Sequence, residues 1–229
     1  MITKFFNYFT KFELFLWSFS SVFIIVSFII FDRSNYLTLI SSLIGTTSLI
    51  FIAKGNPFGQ FLMVLFSIFY GIISFSFAYY GEMITYLGMN LPMSLFALIS
   101  WLRNPYNGNK SEVAVSKIRL KELIIIFFVS IAVTYMFYYI LFALNTTNLI
   151  PSTISITTSF LGAYLMARRS PYFAVVYISN DIVLIVLWIL ASVYDSSYIS
   201  VVICFIIFMI NDSYSFYNWK KTQKRQAIK

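Results

Sequence analysis

The stretch MITYLGMNLPMSLFALISW (83–101) decides the fold. If it crosses a membrane, the chain has eight spans; if it does not, every later segment changes side. It is apolar, but it carries Asn90 and Pro92, and a proline removes a helix hydrogen bond. Charge settles the question. The run that follows, Leu102–Glu122, holds seven charged residues, five of them basic. With 83–101 crossing and the N-terminus cytoplasmic, fifteen of the sixteen Lys and Arg residues fall inside, from Lys4 and Lys11 to Arg225 and Lys229, and only Arg33 falls outside. Basic residues collect on the cytoplasmic side of membrane proteins. Eight spans with both termini cytoplasmic is therefore the expected topology.

Working outward, seven more apolar segments flank this one: Leu14–Phe31, Leu37–Ala53, Phe61–Tyr80, Leu123–Leu144, Ile150–Ala167, Tyr172–Val193 and Tyr198–Ile210. Six of them run to 17–22 residues, near the roughly 20 that a span requires, and Tyr198–Ile210 is shorter at 13. The first reads as a span and not as a cleaved leader, since Asp32-Arg33-Ser34-Asn35 offers no small-residue cleavage site. Ser116–Glu122 runs into Leu123 without a breaker, so the fifth helix is expected to begin before the membrane. Asn104–Asn109 reads as a turn. Composition agrees with a membrane bundle: 60% of the 229 residues are apolar and 10% are charged, against roughly 45–50% and 25% in soluble domains. The same counts exclude most enzyme chemistry. The chain has no histidine and one cysteine, Cys204, so the commonest general base and the usual metal clusters are missing. No catalytic residue, metal or cofactor is expected. The net charge of +8 is a topology signal and not a nucleic-acid footprint.

Local features recur along the chain. Lys54 and Pro57 precede the third segment as Arg168 and Pro171 precede the seventh, both 114 residues apart. Tyr80 and Tyr194 repeat this interval, each followed by an acid, Glu82 and Asp195. Trp101-Leu102-Arg103 recurs as Trp219-Lys220-Lys221, 118 residues later. Segments two to four and six to eight then form two three-helix units in parallel orientation, joined by the fifth. Parallel repeats of this kind occur in small-molecule transporters and place the substrate between them. The expected divisions are 1–36, an N-terminal segment with an additional helix; 37–104, the first three-helix repeat; 105–148, a basic cytoplasmic loop and linker helix; 149–221, the second repeat; and 222–229, a basic cytoplasmic tail.

Polar residues inside a bilayer are costly and point to function. Asn180 and Asp181 lie near the middle of the seventh segment, and Trp188 lies on the Asp181 face one heptad on. An amide, a carboxylate and an indole on one face suit a polar ligand with a ring; hydrogen bonds between helices are the plainer role. Gln60 and Tyr70 in the third segment and Asn90 in the fourth are further candidate lining residues. Asn211-Asp212 is an equally balanced case, with Asp212 expected at the membrane interface.

Asn56-Pro57-Phe58-Gly59, Tyr80-Gly81-Glu82, Pro92 with Trp101-Leu102-Arg103-Asn104, Tyr177-Ile178-Ser179-Asn180-Asp181 with Trp188, and Asn211-Asp212 with Asn218-Trp219-Lys220-Lys221 together resemble the PnuC-type (Pnu) vitamin transporters over about residues 37 to 221. The resemblance implies an all-α membrane protein of the bacterial cell (inner) membrane, with an N-terminal helix before the 3+1+3 arrangement of a full-length SWEET-like fold. It implies facilitated diffusion of nicotinamide riboside, trapping of the substrate by cytoplasmic phosphorylation, and a homotrimer in the lipid bilayer. It brings Trp101 into the candidate site as the second tryptophan of a Trp-x-x-Trp motif, and Leu98 stands where the first would be. Losing that ring changes the surface offered to a flat ligand, so thiamine, a deoxynucleoside or riboflavin are alternative substrates. A non-transporting assembly subunit, a membrane-embedded enzyme and a sugar transporter are the other classes weighed.

Overall fold

The computed structural model describes residues 8–76, 80–146 and 148–228. Lys4, Lys229 and residues 77–79 of the third expected segment lie outside them. Among the described residues, eight helices are long and apolar enough to cross a membrane: α1 (Lys11–Phe31), α2 (Tyr36–Ala53), α3 (Pro57–Ser76), α4 (Glu82–Leu102), α5 (Leu120–Ala143), α6 (Leu149–Ala167), α7 (Phe173–Ser192) and α8 (Ile199–Ala227). The stretch 83–101 thus forms a helix of spanning length.

Local chemistry sets the ends. α1 opens with a capping box: Thr10 Oγ1 accepts from the Glu13 amide and Glu13 accepts from the Thr10 amide. That begins the helix three residues before the apolar run. α2 ends where Gly55, at φ 68°, turns the chain; its N–H donates to Ile52 O, and Asn56 N–H donates to Phe51 O. Glycine reaches this left-handed region without strain. The α6–α7 corner repeats the pattern 114 residues later, with Arg169 at φ 58° donating to Met166 O and Ser170 donating to Leu165 O. Here a non-glycine residue carries the strained turn.

α4 is not uniform. Thr85–Asn90 is a π-helical turn, and regular α-helix resumes at Leu91 with Pro92 in its first turn. The wider turn accommodates the proline without ending the span, and such turns cluster at functional sites.

Three expectations change. Pro105–Tyr106 and Asn109–Val113 pair as a small antiparallel hairpin, β1–β2, around Asn107 and Gly108, both at positive φ. An Asn-Gly pair with this geometry is the favoured two-residue hairpin turn. Second, the fifth helix does begin before its apolar segment, at Leu120, but Ser116–Arg119 is not helical. Third, α8 does not stop near Ile210 but continues to Ala227, because the polar residues there contain no glycine or proline to break it. Asp212 is consequently mid-helix and buried within the bundle.

α2 packs on α3, α3 on α4, α6 on α7 and α7 on α8; α8 also packs on α2, and α4 on α6. α1 lies outside against α2 and α8, and α5 lies outside against α6. The inner helices use small residues. Ser41, Ser42, Gly45, Thr46 and Ser48 are buried along α2, and a Cβ on Gly59 would stand 2.7 Å from the Ile52 amide nitrogen. Small residues permit the close helix approach that holds bundles together in lipid. Ion pairs tie the periphery down at the hairpin end: Lys54 Nζ to buried Glu13 at 3.1 Å, Arg168 to Glu122, and Arg225 to Glu112.

Candidate substrate site

Six helices converge on a central cavity of about 60 Å³. α2 contributes Leu49; α3 Met63, Phe66 and Ser67; α4 Tyr86, Asn90 and Ser94; α6 Ser159, Ala163 and Met166; α7 Tyr177, Asn180, Asp181 and Leu184; α8 Phe205, Phe208 and Asp212. None of the described lining residues comes from α1 or α5. The lining mixes rings with a few polar groups, which is the usual make-up of a small-molecule site. At about 60 Å³ it holds little more than water, whereas sites for drug-sized ligands run to roughly 300–1,000 Å³. The bundle is closed around the site in this conformation.

The polar groups are fixed by their neighbours. Asn180 Oδ1 accepts from Thr158 Oγ1 at 2.8 Å and from Ser159 Oγ at 3.0 Å. With its oxygen held twice, the amide nitrogen is the part of Asn180 left to offer a ligand. Asp181 and Asp212 interact across the α7–α8 contact. One oxygen of each, Asp181 Oδ2 and Asp212 Oδ1, is buried without a hydrogen-bond partner among the described residues. The π-helical turn carries Tyr86 and ends at Asn90, and both line the cavity.

Both ends of the cavity are shut by aromatic side chains. At the hairpin end Trp101 and Trp219 are fully buried, 5.4 Å apart, and Phe173 meets Trp219 at 5.1 Å. Each indole reaches across the bundle. Trp101 Nε1 donates from α4 to Met166 O on α6 at 2.9 Å, and Trp219 Nε1 donates from α8 to Ile52 O on α2 at 2.8 Å. Ser100 Oγ bonds Ala167 O at 2.6 Å and Asn218 Nδ2 bonds Ala53 O at 2.8 Å in the same crossed manner. The end of the hairpin and the segment after it strap the two corners: Val113 N–H donates to Gly55 O and Ser116 N–H to Arg169 O. At the opposite end Tyr70 packs on Tyr86 at 4.4 Å, on Phe205 at 6.3 Å and on Trp188 at 6.5 Å. Beyond these rings lies a pocket of about 10 Å³ lined by Asp32, Thr38, Tyr70, Trp188 and Tyr198 among others.

Of the eight residues expected at the site, the structure brings Asn90, Asn180 and Asp181 together at the cavity. Tyr70 and Trp188 belong to the outer ring layer, and Trp101 to the hairpin-end closure. Asn211 faces α1, where its Nδ2 donates to Ser20 Oγ at 3.0 Å. Gln60 is fully buried, neither of its amide atoms is hydrogen-bonded among the described residues, and it does not line the cavity. Leu98 does not line it either. The lining residues not singled out from sequence are chiefly Ser67, Ser94, Ser159, Tyr86 and Tyr177. A lone hydroxyl in an apolar run is the common case of a side chain bonding its own helix, as Ser67 Oγ does to Met63 O. The π-helical turn is the one local signal that could have pointed to Tyr86, through Pro92.

Comparison with known proteins gives a consistent result. The family model described as nicotinamide mononucleotide transporter matches residues 35–221. The nicotinamide riboside transporter PnuC of Neisseria mucosa is 21% identical over 203 residues, which are 86% of this chain and 77% of that protein. The nicotinamide riboside transporter PnuC of Haemophilus influenzae is 24% identical over 194 residues, 83% of this chain and 82% of that one. The crystal structure of the vitamin B3 transporter PnuC superposes with a TM-score of 0.82 at 20% identity, covering 95% of this chain and 94% of the other. Its likeness establishes the fold.

Proposed function

The chain belongs to the nicotinamide mononucleotide transporter family, and from that premise we propose that it carries nicotinamide riboside across the bacterial inner membrane by facilitated diffusion, through the cavity between α2–α4 and α6–α8. The observation that carries this reading is that cavity: six helices meet at it, polar groups are gathered within it, and a separate closure lies at each end. The crossed Trp101–Met166 and Trp219–Ile52 bonds support two three-helix repeats, 37–104 and 149–221, with α5 between them. In the proposed cycle the repeats rock about the cavity so that one closure parts while the other holds. Both termini lie in the cytoplasm, where phosphorylation traps the substrate, and the working unit is a homotrimer. Asn180 hydrogen-bonds the substrate, while Trp188 and Tyr70 meet its ring as it passes the outer layer.

Uptake of labelled nicotinamide riboside into proteoliposomes tests this. Equilibration without an ion gradient, with more than tenfold slower uptake for Asn180→Ala, roughly the loss of one hydrogen bond to a buried group, is the expected result. Uptake that needs an imposed ion gradient overturns facilitated diffusion, and uptake that is unchanged in Asn180→Ala overturns the site. Leu98 in place of the first motif tryptophan favours one second reading, a related substrate such as thiamine, a deoxynucleoside or riboflavin. Competition by that compound, and none by nicotinamide riboside, selects it.

A further inference from the structure

We infer that Asp181 and Asp212 make the central cavity selective for a flat ring that carries a positive charge. This deepens the proposed function, and rests on it, by naming the feature of the substrate that the site reads.

The argument starts from electrostatics. Both carboxyls are almost wholly buried, at 3% exposure each. They meet between α7 and α8 and border the cavity together. Buried acids in a bilayer interior are costly and are normally paired with a basic side chain. No Lys or Arg lines the cavity among the described residues, and the chain has no histidine. Each acid also keeps a buried oxygen, Asp181 Oδ2 and Asp212 Oδ1, to which no donor among the described residues is bonded. The rest of the lining explains the shape of the missing partner. Phe66, Tyr86, Phe205 and Phe208 line the same cavity, and aromatic faces attract cations as well as flat rings. The hydroxyls of Ser67 and Ser94 and the Asn180 amide suit the polar substituents of such a ligand. A group of three or more acids that could hold a metal ion is absent among the described residues, so the geometry points to an organic cation and not to a bound metal.

The test compares ligands that keep their shape and lose their charge. Binding to the detergent-purified wild-type protein is measured for nicotinamide riboside and its neutral 1,4-dihydro form, and for thiamine and neutral 3-deazathiamine. The expected result is a preference of about tenfold or more for the cation of at least one pair, since a charge facing a carboxylate at a partly desolvated site contributes well over one factor of ten. In Asp181→Asn and Asp212→Asn this preference falls toward one, and an unchanged circular-dichroism spectrum reports that the variants are folded. Equal binding of both members of a bound pair by the wild type overturns the inference and leaves the transport reading intact. So does a preference that survives in both variants, or one that appears only with added sodium. Binding of thiamine with charge preference, but not of nicotinamide riboside, overturns the substrate proposed above and supports the inference. Binding of none of the four overturns both.

Discussion

The two closures of the cavity are built differently. At the hairpin end the tryptophans donate hydrogen bonds to backbone carbonyls on the far helices, and those carbonyls sit at the chain corners of Gly55 and Arg169. At the other end Tyr70, Tyr86, Trp188 and Phe205 meet ring against ring. A bond to a carbonyl at a helix end has one length and one direction, so it fixes which residue faces which. Ring contacts hold over centroid separations of about 4.5–7 Å and in several orientations, so they tolerate sliding. The hairpin end is a registered joint, and the opposite end is a compliant one.

The largest expected break of this contrast is Trp219→Ala. It removes a fully buried ring, the bond to Ile52 O and the contacts with Trp101 and Phe173, and it should cost about 3–5 kcal/mol, read as a fall in melting temperature of the purified protein. A fall no larger than that for Tyr70→Ala would mean that the two closures are equivalent. Trp101→Phe is gentler. It keeps most of the ring and removes the indole bond to the Met166 carbonyl, which retains the Arg169 N–H, at about 0.5–1.5 kcal/mol; a change under a few tenths would show that this bond does not hold the joint. The compliant end has its own reporter. Cys204 is buried in the same cluster as Tyr70, Trp188 and Phe205. Tyr70→Ala should speed its modification by a small thiol reagent about tenfold, equivalent to easing local opening by about 1.4 kcal/mol, and Trp101→Phe should leave that rate unchanged. The smallest effect sharpens the comparison of the two corners. Arg169 sits at a positive φ where Gly55 sits in the other corner, and burial beside Arg168 pulls its guanidinium below the usual arginine range. Arg169→Gly should stabilise the protein by about 1 kcal/mol, whereas Gly55→Ala should destabilise it.

The helices were legible because span length and basic-residue placement are one-dimensional signals. Met83–Trp101 was correctly read as a span although it holds Asn90 and Pro92, since charge on the following loop outweighs one missing hydrogen bond. The hairpin was not legible as strands: two and five residues, mostly polar, carry no alternating pattern, although Asn107-Gly108 marks the turn. The end of α8 was missed because hydropathy ends at the membrane surface and the helix does not. The site was half legible. A polar residue in an apolar run announces a partner, but not which one. Asn180 and Asn90 turn to the cavity, whereas Asn211 turns to Ser20 on α1. Distinguishing them requires knowing which helix lies opposite, and the order of α1, α2 and α8 around the bundle is a tertiary fact.

The crossed tryptophans have one more consequence. Trp101 ties α4 to α6 and Trp219 ties α8 to α2, so any motion that parts the two groups of helices at this end breaks both bonds in a single event. Two such bonds together contribute roughly 1–3 kcal/mol, which skews the shut-to-ajar ratio by about 5- to 150-fold. In the proposed cycle they act as insulation: an idling carrier sealed this way spares the cell a steady leak of metabolites and ions through its own door.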